Sequence, residues 1–246
     1  VEQGKRRRAG YVELRGAPAP LGGWIVKRGV YAGFEFILPT DESENLNRIP
    51  RRRRAEVRKA EAALAAGALN ADFDGDEAAF YTLYAEAMRD HGTPVFSRVF
   101  LAALMTEFAG RVEILTLRKE RAPILALLSF YFGDRVMPYY VGGRGEARAL
   151  RAYDLAYWLQ MRRAALKGAA VFDFGRSKYG SGSFDYKKYW GAEPRPLDYH
   201  YALLKARATP NVSPANPRYR AAVSAWRRLP LGLANRAGPV LARHIA

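Results

Sequence analysis

The sequence predicts a mixed α/β fold with an antiparallel centre, and three observations predict it. Three consecutive segments, 112–118, 122–132 and 135–141, are rich in Leu, Ile and Tyr and short enough for strands. Gly133-Asp134 supplies a turn between the last two. On either side lie longer stretches with apolar residues at helical spacing, such as Leu155, Trp158 and Leu159. Gly67, Gly110 and Gly168 each close such a stretch, as glycine does where a helix ends in a left-handed residue.

Taken in order, residues 4–10 read as the end of a basic helix and 11–14 as a strand. Residues 23–30 and 31–38 read as extended segments, with Gly33 permitting a bend. A polar connector follows over 39–45, and then a helix rich in Ala and Arg over 46–66. Residues 69–73 form a brief strand. Asp74-Gly-Asp-Glu77 places acids at the start of a long helical region, where the helix dipole favours them. That region runs to about 108, with a break near Gly92-Thr-Pro94. After the three central strands come a helix over 152–166, a strand over 171–174, a Gly- and Ser-rich loop, and a strand over 197–204. The tail, 210–246, is punctuated by proline and holds two short basic amphipathic helices, 221–229 and 231–245, with Trp226 on the first.

A chain of 246 residues holds one large domain or one and a half ordinary ones. Hydrophobic residues at 49% are enough for a core, which excludes wholesale disorder. No run of about 18 apolar residues is present, so no membrane-spanning helix is expected. The first residues lack the apolar core of a signal peptide. The absence of cysteine excludes disulfides, thiolate catalysis and Cys-ligated zinc, and fits a reducing compartment. His91, His200 and His244 are too scattered for a metal site, and Asp72, Asp74 and Asp76 lack calcium-loop spacing. No metal is expected.

The net charge is +16, and its distribution matters more than its size. Asp198 is the last acidic residue. Lys205, Arg207, Arg218, Arg220, Arg227, Arg228, Arg236 and Arg243 follow it unopposed. A second block, Arg48, Arg51, Arg52, Arg53, Arg54, Arg58 and Lys59, has only Glu56 within it. Such blocks favour polyanions: RNA, anionic lipid or phosphorylated glycans. They also fit solvated helix faces. The tail helices are suited either to an anionic membrane surface or to packing back onto the domain.

The most informative stretch is Val171-Phe-Asp-Phe-Gly-Arg-Ser-Lys-Tyr-Gly-Ser-Gly-Ser-Phe-Asp-Tyr-Lys-Lys-Tyr-Trp-Gly191. It starts as an apolar strand, breaks into a glycine-rich loop and ends in a lysine pair among Phe184, Tyr186, Tyr189 and Trp190. Glycine lets backbone N–H groups approach an anion, lysine supplies a point charge, and aromatic walls exclude water. Asp173-Phe-Gly175 also spells a kinase signature, but no His-Arg-Asp loop precedes it, so that reading is excluded.

The strand ending in Asp-Phe-Gly, the glycine loop and Tyr186-Lys187-Lys188-Tyr189-Trp190-Gly191 resemble the carboxy-terminal signature of FemAB-like aminoacyl/acyltransferases. The wording is most similar to the branch associated with PEP-CTERM and exosortase exopolysaccharide systems. The resemblance covers about residues 45–205. It implies a GNAT-like (acyl-CoA N-acyltransferase) fold, with one complete domain over 45–205. Residues 1–44 would be the end of a preceding GNAT-like repeat, and 206–246 a basic amphipathic tail. A short internal echo agrees with tandem copies: Arg8-Ala-Gly-Tyr-Val-Glu-Leu14 answers Gly168-Ala-Ala-Val-Phe-Asp-Phe174, and Gly33-Phe-Glu-Phe36 answers Pro196-Leu-Asp-Tyr199. On this reading the chain starts late in its first copy.

The resemblance places Lys187 near the phosphate-bearing end of a donor, with Tyr186 as its aromatic neighbour and Lys188 as its weaker twin. An ammonium there could hold a phosphate or neutralise an oxyanion. Gly175, Arg176, Ser177 and Gly182 form a loop suited to an anionic acceptor or carrier, or an ordinary strand-to-helix connection. Tyr139, Tyr140, Gly142 and Gly143 end a central strand where GNAT-type domains pack the acyl carrier; core packing is the other reading for the tyrosines. Tyr153, Asp154 and Trp158 begin the next helix. Asp154 is a candidate general base, or an acid stabilised by the helix dipole. No nucleophilic triad assembles, and an amine attacking an activated ester needs none.

The resemblance therefore implies a cytoplasmic acyltransferase, resting at the inner membrane through its basic tail. It would act on an amine or hydroxyl of a cell-envelope or exopolysaccharide precursor. No tightly bound cofactor is expected. The donor is aminoacyl-tRNA or acyl-coenzyme A; Arg144 to Asp154 lacks a clean pyrophosphate motif, which argues against coenzyme A and leaves aminoacyl-tRNA, or another donor, open. Two alternatives stay open: a non-catalytic module that binds polyanions or a glycan carrier, and a coenzyme-A-dependent N-acetyltransferase.

Overall fold

The computed structural model describes residues 1–17, 22–210 and 219–245, without the side chains of Glu42, His244 and Ile245. The proline-rich start of the tail, 211–218, lies outside the described residues. The chain forms two compact units, one from residues 1–36 and 174–212, the other from 37–173 and 213–246.

The larger unit is built on the central strands. β3 (Asn70–Asp72), β4 (Val112–Lys119), β5 (Ala122–Phe132) and β6 (Arg135–Gly143) pair antiparallel in that order. Gly133, at φ +56, opens the tight turn between β5 and β6, as expected from Gly-Asp. The central strands are buried in near-continuous apolar runs, because helices cover both faces. α4 (Glu77–Asp90) and α5 (Arg98–Glu107) pack against Ile114, Ala126 and Leu128. α3 (Arg51–Ala65), α6 (Gly145–Ala149) and α7 (Ala152–Leu166) enclose a second cluster with Leu115, Leu117, Leu125 and Leu127. Residues of β4 and β5 alternate between the two clusters, as the two-residue period of a strand requires.

The helix starts follow local chemistry. The Asp76 carboxylate accepts from the Ala79 amide at 2.9 Å, and the Ser97 hydroxyl from the Phe100 amide at 3.0 Å. The break near Gly92-Thr-Pro94 is where the sequence put it. The single helix expected over 46–66 is two: α2 (Glu42–Arg48) and α3. Ile49 precedes Pro50 and sits at φ −73, ψ 132, because the proline ring disfavours helical geometry in the residue before it. The connector expected over 39–45 holds the start of α2, capped by the Asp41 carboxylate at 2.9 Å from the Glu44 amide.

The smaller unit has α1 (Glu2–Arg6), β1 (Tyr11–Arg15), β2 (Ile25–Ile37, to Phe36), α8 (Gly182–Lys188) and β8 (Glu193–Leu203). β7 (Val171–Lys178) contributes its first residues to the larger unit and its last to this one. The strand order is β1-β8-β2-β7. That order is unchanged when β1 is exchanged with β7 and β2 with β8, the pairs joined by the sequence echo. β2 is one strand, not two segments bent at Gly33. Its register shifts between Lys27 and Tyr31, around Gly29 at φ +67, whereas Gly33 is a ladder partner of Arg195. β7 runs four residues further than 171–174, so Gly175, Arg176 and Ser177 stand on a strand, not in a loop, and Gly182 opens α8.

The tail helices, α9 (Arg220–Arg227) and α10 (Leu231–Ile245), pack on α4 in the larger unit. Among the described residues no helix is long and apolar enough to cross a membrane.

Candidate functional site

The most distinctive geometry lies on β6. Its register against β5 pairs Leu128 with Tyr140 and Ser129 with Pro138, leaving Tyr139 as an extra residue. This is a β-bulge, and Pro138, which has no N–H to give a ladder, sits beside it. On its other edge β6 pairs parallel with β7 through Arg135↔Val171 and Val136↔Phe172. Within its unit the rest of β6, residues 137–143, is laddered on the β5 side only.

The bulge presents Tyr139 outward, 55% exposed. Its ring meets the edge of Tyr140 at 4.7 Å and of Phe130 at 5.7 Å. Tyr140 turns inward against Tyr84 of α4 at 5.0 Å and Phe96 at 6.4 Å. Burial, with a smaller contribution from Tyr139, pushes the Tyr140 phenol up to about 12. Burial raises Tyr84 as well, assisted by Tyr140. Both phenols therefore remain O–H donors at neutral pH.

The two glycines at the end of β6 are close-approach positions. A Cβ on Gly142 would stand 2.3 Å from the Tyr84 amide nitrogen, so the backbone of α4 rests directly on the strand. A Cβ on Gly143 would stand 2.7 Å from the Tyr153 hydroxyl. Arg144, next along the chain, donates to the Glu86 carboxylate at 3.1 and 3.4 Å, which raises its own basicity.

The start of α7 faces α3. Asp154 is buried and paired with Arg53, and the Trp158 indole N–H donates to Glu61 at 2.8 Å. Tyr153 stands beside Gly143, its phenol raised by burial and opposed by Arg148. Tyr139, Tyr140 and Gly142 are thus one group and Tyr153 joins them through Gly143, whereas Asp154 and Trp158 engage α3.

In the smaller unit Lys187 is buried and donates to the carbonyls of Gly175 at 3.2 Å and Arg176 at 2.9 Å. Its ammonium lies 5.7 Å from the Phe34 ring centre. Lys187 therefore ties α8 to β7, where the resemblance placed it at a donor. Lys188 is exposed above Phe184, and Tyr186 contacts Trp190 edge-on at 6.5 Å. Arg176 lies 4.8 Å from Tyr31, which stacks on Tyr199 at 4.8 Å, and it donates to the Tyr199 hydroxyl. Ser177 is buried, and its hydroxyl has no hydrogen-bond partner among the described residues.

Sequence reasoning missed Tyr84, Phe96 and Phe130, which build the setting of the bulge. Phe80 and Tyr84, one helical turn apart and stacked at 5.6 Å, were the available signal. It also missed Arg53 as the partner of Asp154; nothing in a run of four arginines singles out the one that turns inward. No group of three or more His, Cys, Asp or Glu that could hold a metal occurs among the described residues.

Residues 51–188 match the family model described as acetyltransferase (GNAT) domain. Comparison with curated proteins gives no match. Among solved structures, the crystal structure of FemX is similar with a TM-score of 0.62 at 13% identity, over 90% of this chain and 76% of that one. A conserved protein of unknown function from Bacteroides thetaiotaomicron gives 0.53 at 11%, over 82% and 73%. The carboxy-terminal domain of a putative lysylphosphatidylglycerol synthetase from Agrobacterium fabrum gives 0.51 at 12%, over 73% of this chain and 62% of that one.

Proposed function

The chain belongs to the acetyltransferase (GNAT) domain family, and from that premise we propose that it transfers an aminoacyl or acyl group to an amine or hydroxyl of a cell-envelope or exopolysaccharide precursor. The observation that carries this reading is the Tyr139 bulge on a strand that, within its own unit, is laddered on its far edge only through Val136. A strand edge of this kind offers backbone N–H and C=O groups to a carrier, and the bulge aims a side chain at its reactive end.

In the proposed reaction the acceptor nitrogen or oxygen attacks the carbonyl carbon of the donor ester or thioester. The new bond to carbon forms, the bond to the donor's oxygen or sulfur breaks, and the acceptor's proton leaves to the departing group through solvent. The protein's share is positioning and stabilisation of the transient oxyanion. Tyr139 would touch the donor. Tyr140, protonated at neutral pH, would supply a donor to the oxyanion and not a base.

Aminoacyl-tRNA is the favoured donor and acyl-coenzyme A the alternative, with no tightly bound cofactor. Support comes from Arg144, the first cation after β6, which is engaged by Glu86. The name lysylphosphatidylglycerol synthetase, borne by one protein of similar fold, is in keeping with an aminoacyl donor. The envelope or exopolysaccharide acceptor rests on the resemblance at 171–191.

A second reading, a non-catalytic polyanion-binding module, is favoured by the exposed Arg51, Arg52 and Arg58 on α3. Turnover separates the two. The full chain is incubated with aminoacyl-tRNA or acyl-coenzyme A, labelled in the acyl group, and envelope precursors. Label moving from one donor to an acceptor supports the transferase; salt-sensitive binding of both donors with no label moved would favour the module.

A further inference from the structure

Helix α10 is built inside out. Its inner face is small: Ala234, Gly238 and Ala242 are buried. A Cβ on Gly238 would lie 3.1 Å from the Val95 backbone, so the helix sits close against the larger unit. Leu231, at its start, packs against the core of the larger unit, but the bulky apolar residues along its middle point outward. Leu233 is 53% exposed, Val240 58% and Leu241 41%, and Ala237 is exposed between them. Positions 233, 237, 240 and 241 follow the spacing that places residues on one helical face. Ordinary packing on a soluble domain puts the bulky residues inside; here they form a continuous outward stripe.

Charge identifies what the stripe fits. Arg236 and Arg243 are exposed along one flank of it, and Arg220 on α9 and Arg228 just after it are exposed as well. No acid occurs anywhere after Asp198. An apolar stripe flanked by arginine, on helices that themselves carry no carboxylate, is complementary to an anionic lipid surface: apolar side chains enter the acyl boundary while guanidinium groups meet phosphates. A second protein copy would bring the same arginines against themselves.

We propose that the outer face of α10 docks the chain on a bilayer containing anionic phospholipid, the helix lying in the plane of the interface. This goes beyond the transfer reaction and stands on different residues, so either can fail without the other.

The test is co-sedimentation of the full chain with vesicles of phosphatidylglycerol and phosphatidylcholine, and with vesicles of phosphatidylcholine alone. Binding is expected to the anionic vesicles only. Leu233→Ser with Val240→Ser, both at exposed positions, is expected to weaken it about tenfold with the thermal midpoint retained. Arg236→Gln with Arg243→Gln is expected to weaken it and flatten its salt dependence. No binding by the unaltered chain overturns the proposal. So does binding unchanged by the serine pair, which would put lipid contact elsewhere, and so does a dimer that the serine pair dissolves without any vesicle binding.

Discussion

Gly142 and Tyr84 are in direct backbone contact: any side chain on the glycine would run into the amide of the tyrosine, 2.3 Å away. This fixes α4 against β6 two residues beyond the point where the ring of Tyr84 supports Tyr140. Gly142, expected to line a donor site, thus sets the height of the helix under that site. Gly142→Ala must push the helix away. A loss at the upper end of about 1–3 kcal/mol is expected in denaturant unfolding, since backbone cannot swing aside as a side chain can. Full stability in Gly142→Ala would contradict the contact.

The Arg53–Asp154 pair gives a second expectation. Both partners are largely withdrawn from water, with side-chain exposures of 12% and 11%. Removing either charge takes this partner from a group largely withdrawn from water, so Asp154→Asn and Arg53→Gln should each cost up to about 3–5 kcal/mol. The double variant should cost clearly less than their sum, which a double-mutant cycle in urea measures. Additive losses would mean the two do not act as a pair. An Asp154→Asn variant that lost transfer and kept full stability would favour the general-base reading.

Lys187 holds two carbonyls of β7 with its buried ammonium. Lys187→Met keeps the apolar stem and deletes the donor, leaving Gly175 and Arg176 with a lost partner. A loss of about 1–3 kcal/mol is expected by thermal unfolding. Unchanged stability together with abolished donor binding would instead assign Lys187 to the donor.

Glu113 predicts an acid limit. Burial acts to raise its carboxyl, but hydrogen bonds from Lys167, Tyr131 and Arg163 outweigh it and hold the group below its ordinary 4.5. A folded-state value below the unfolded one stabilises the protein above pH 4.5, and the contribution disappears as pH falls through the folded value. Glu113→Gln should therefore be less stable than the unaltered chain at pH 7, with the gap closing below about pH 4. A gap independent of pH would remove the carboxylate from the account.

The sequence made the central strands legible because their apolar runs and the Gly133-Asp134 turn are local signals. The helix at 152–166 was legible from its spacing. Pro50 was a local signal too, yet the arginine run around it masked the break. The extension of β7 was hidden because Gly175, Arg176 and Ser177 have loop-like composition; their strand geometry comes from tertiary pairing. The bulge at Tyr139 is a register property between two strands, and no spacing within one strand reveals it. The burial of Lys187 has the same origin: the carbonyls that receive it lie eleven and twelve residues away on another element.

The most direct test of the account is single-turnover transfer from labelled aminoacyl-tRNA by the unaltered chain and by Tyr139→Ala. Tyr139 is 55% exposed, so its loss should cost no more than about 1 kcal/mol of stability. The account predicts that the folded variant loses at least about tenfold in transfer rate, since the group that positions the reacting end is gone. Transfer at the unaltered rate by folded Tyr139→Ala would contradict the placement of the reaction at the bulge of β6.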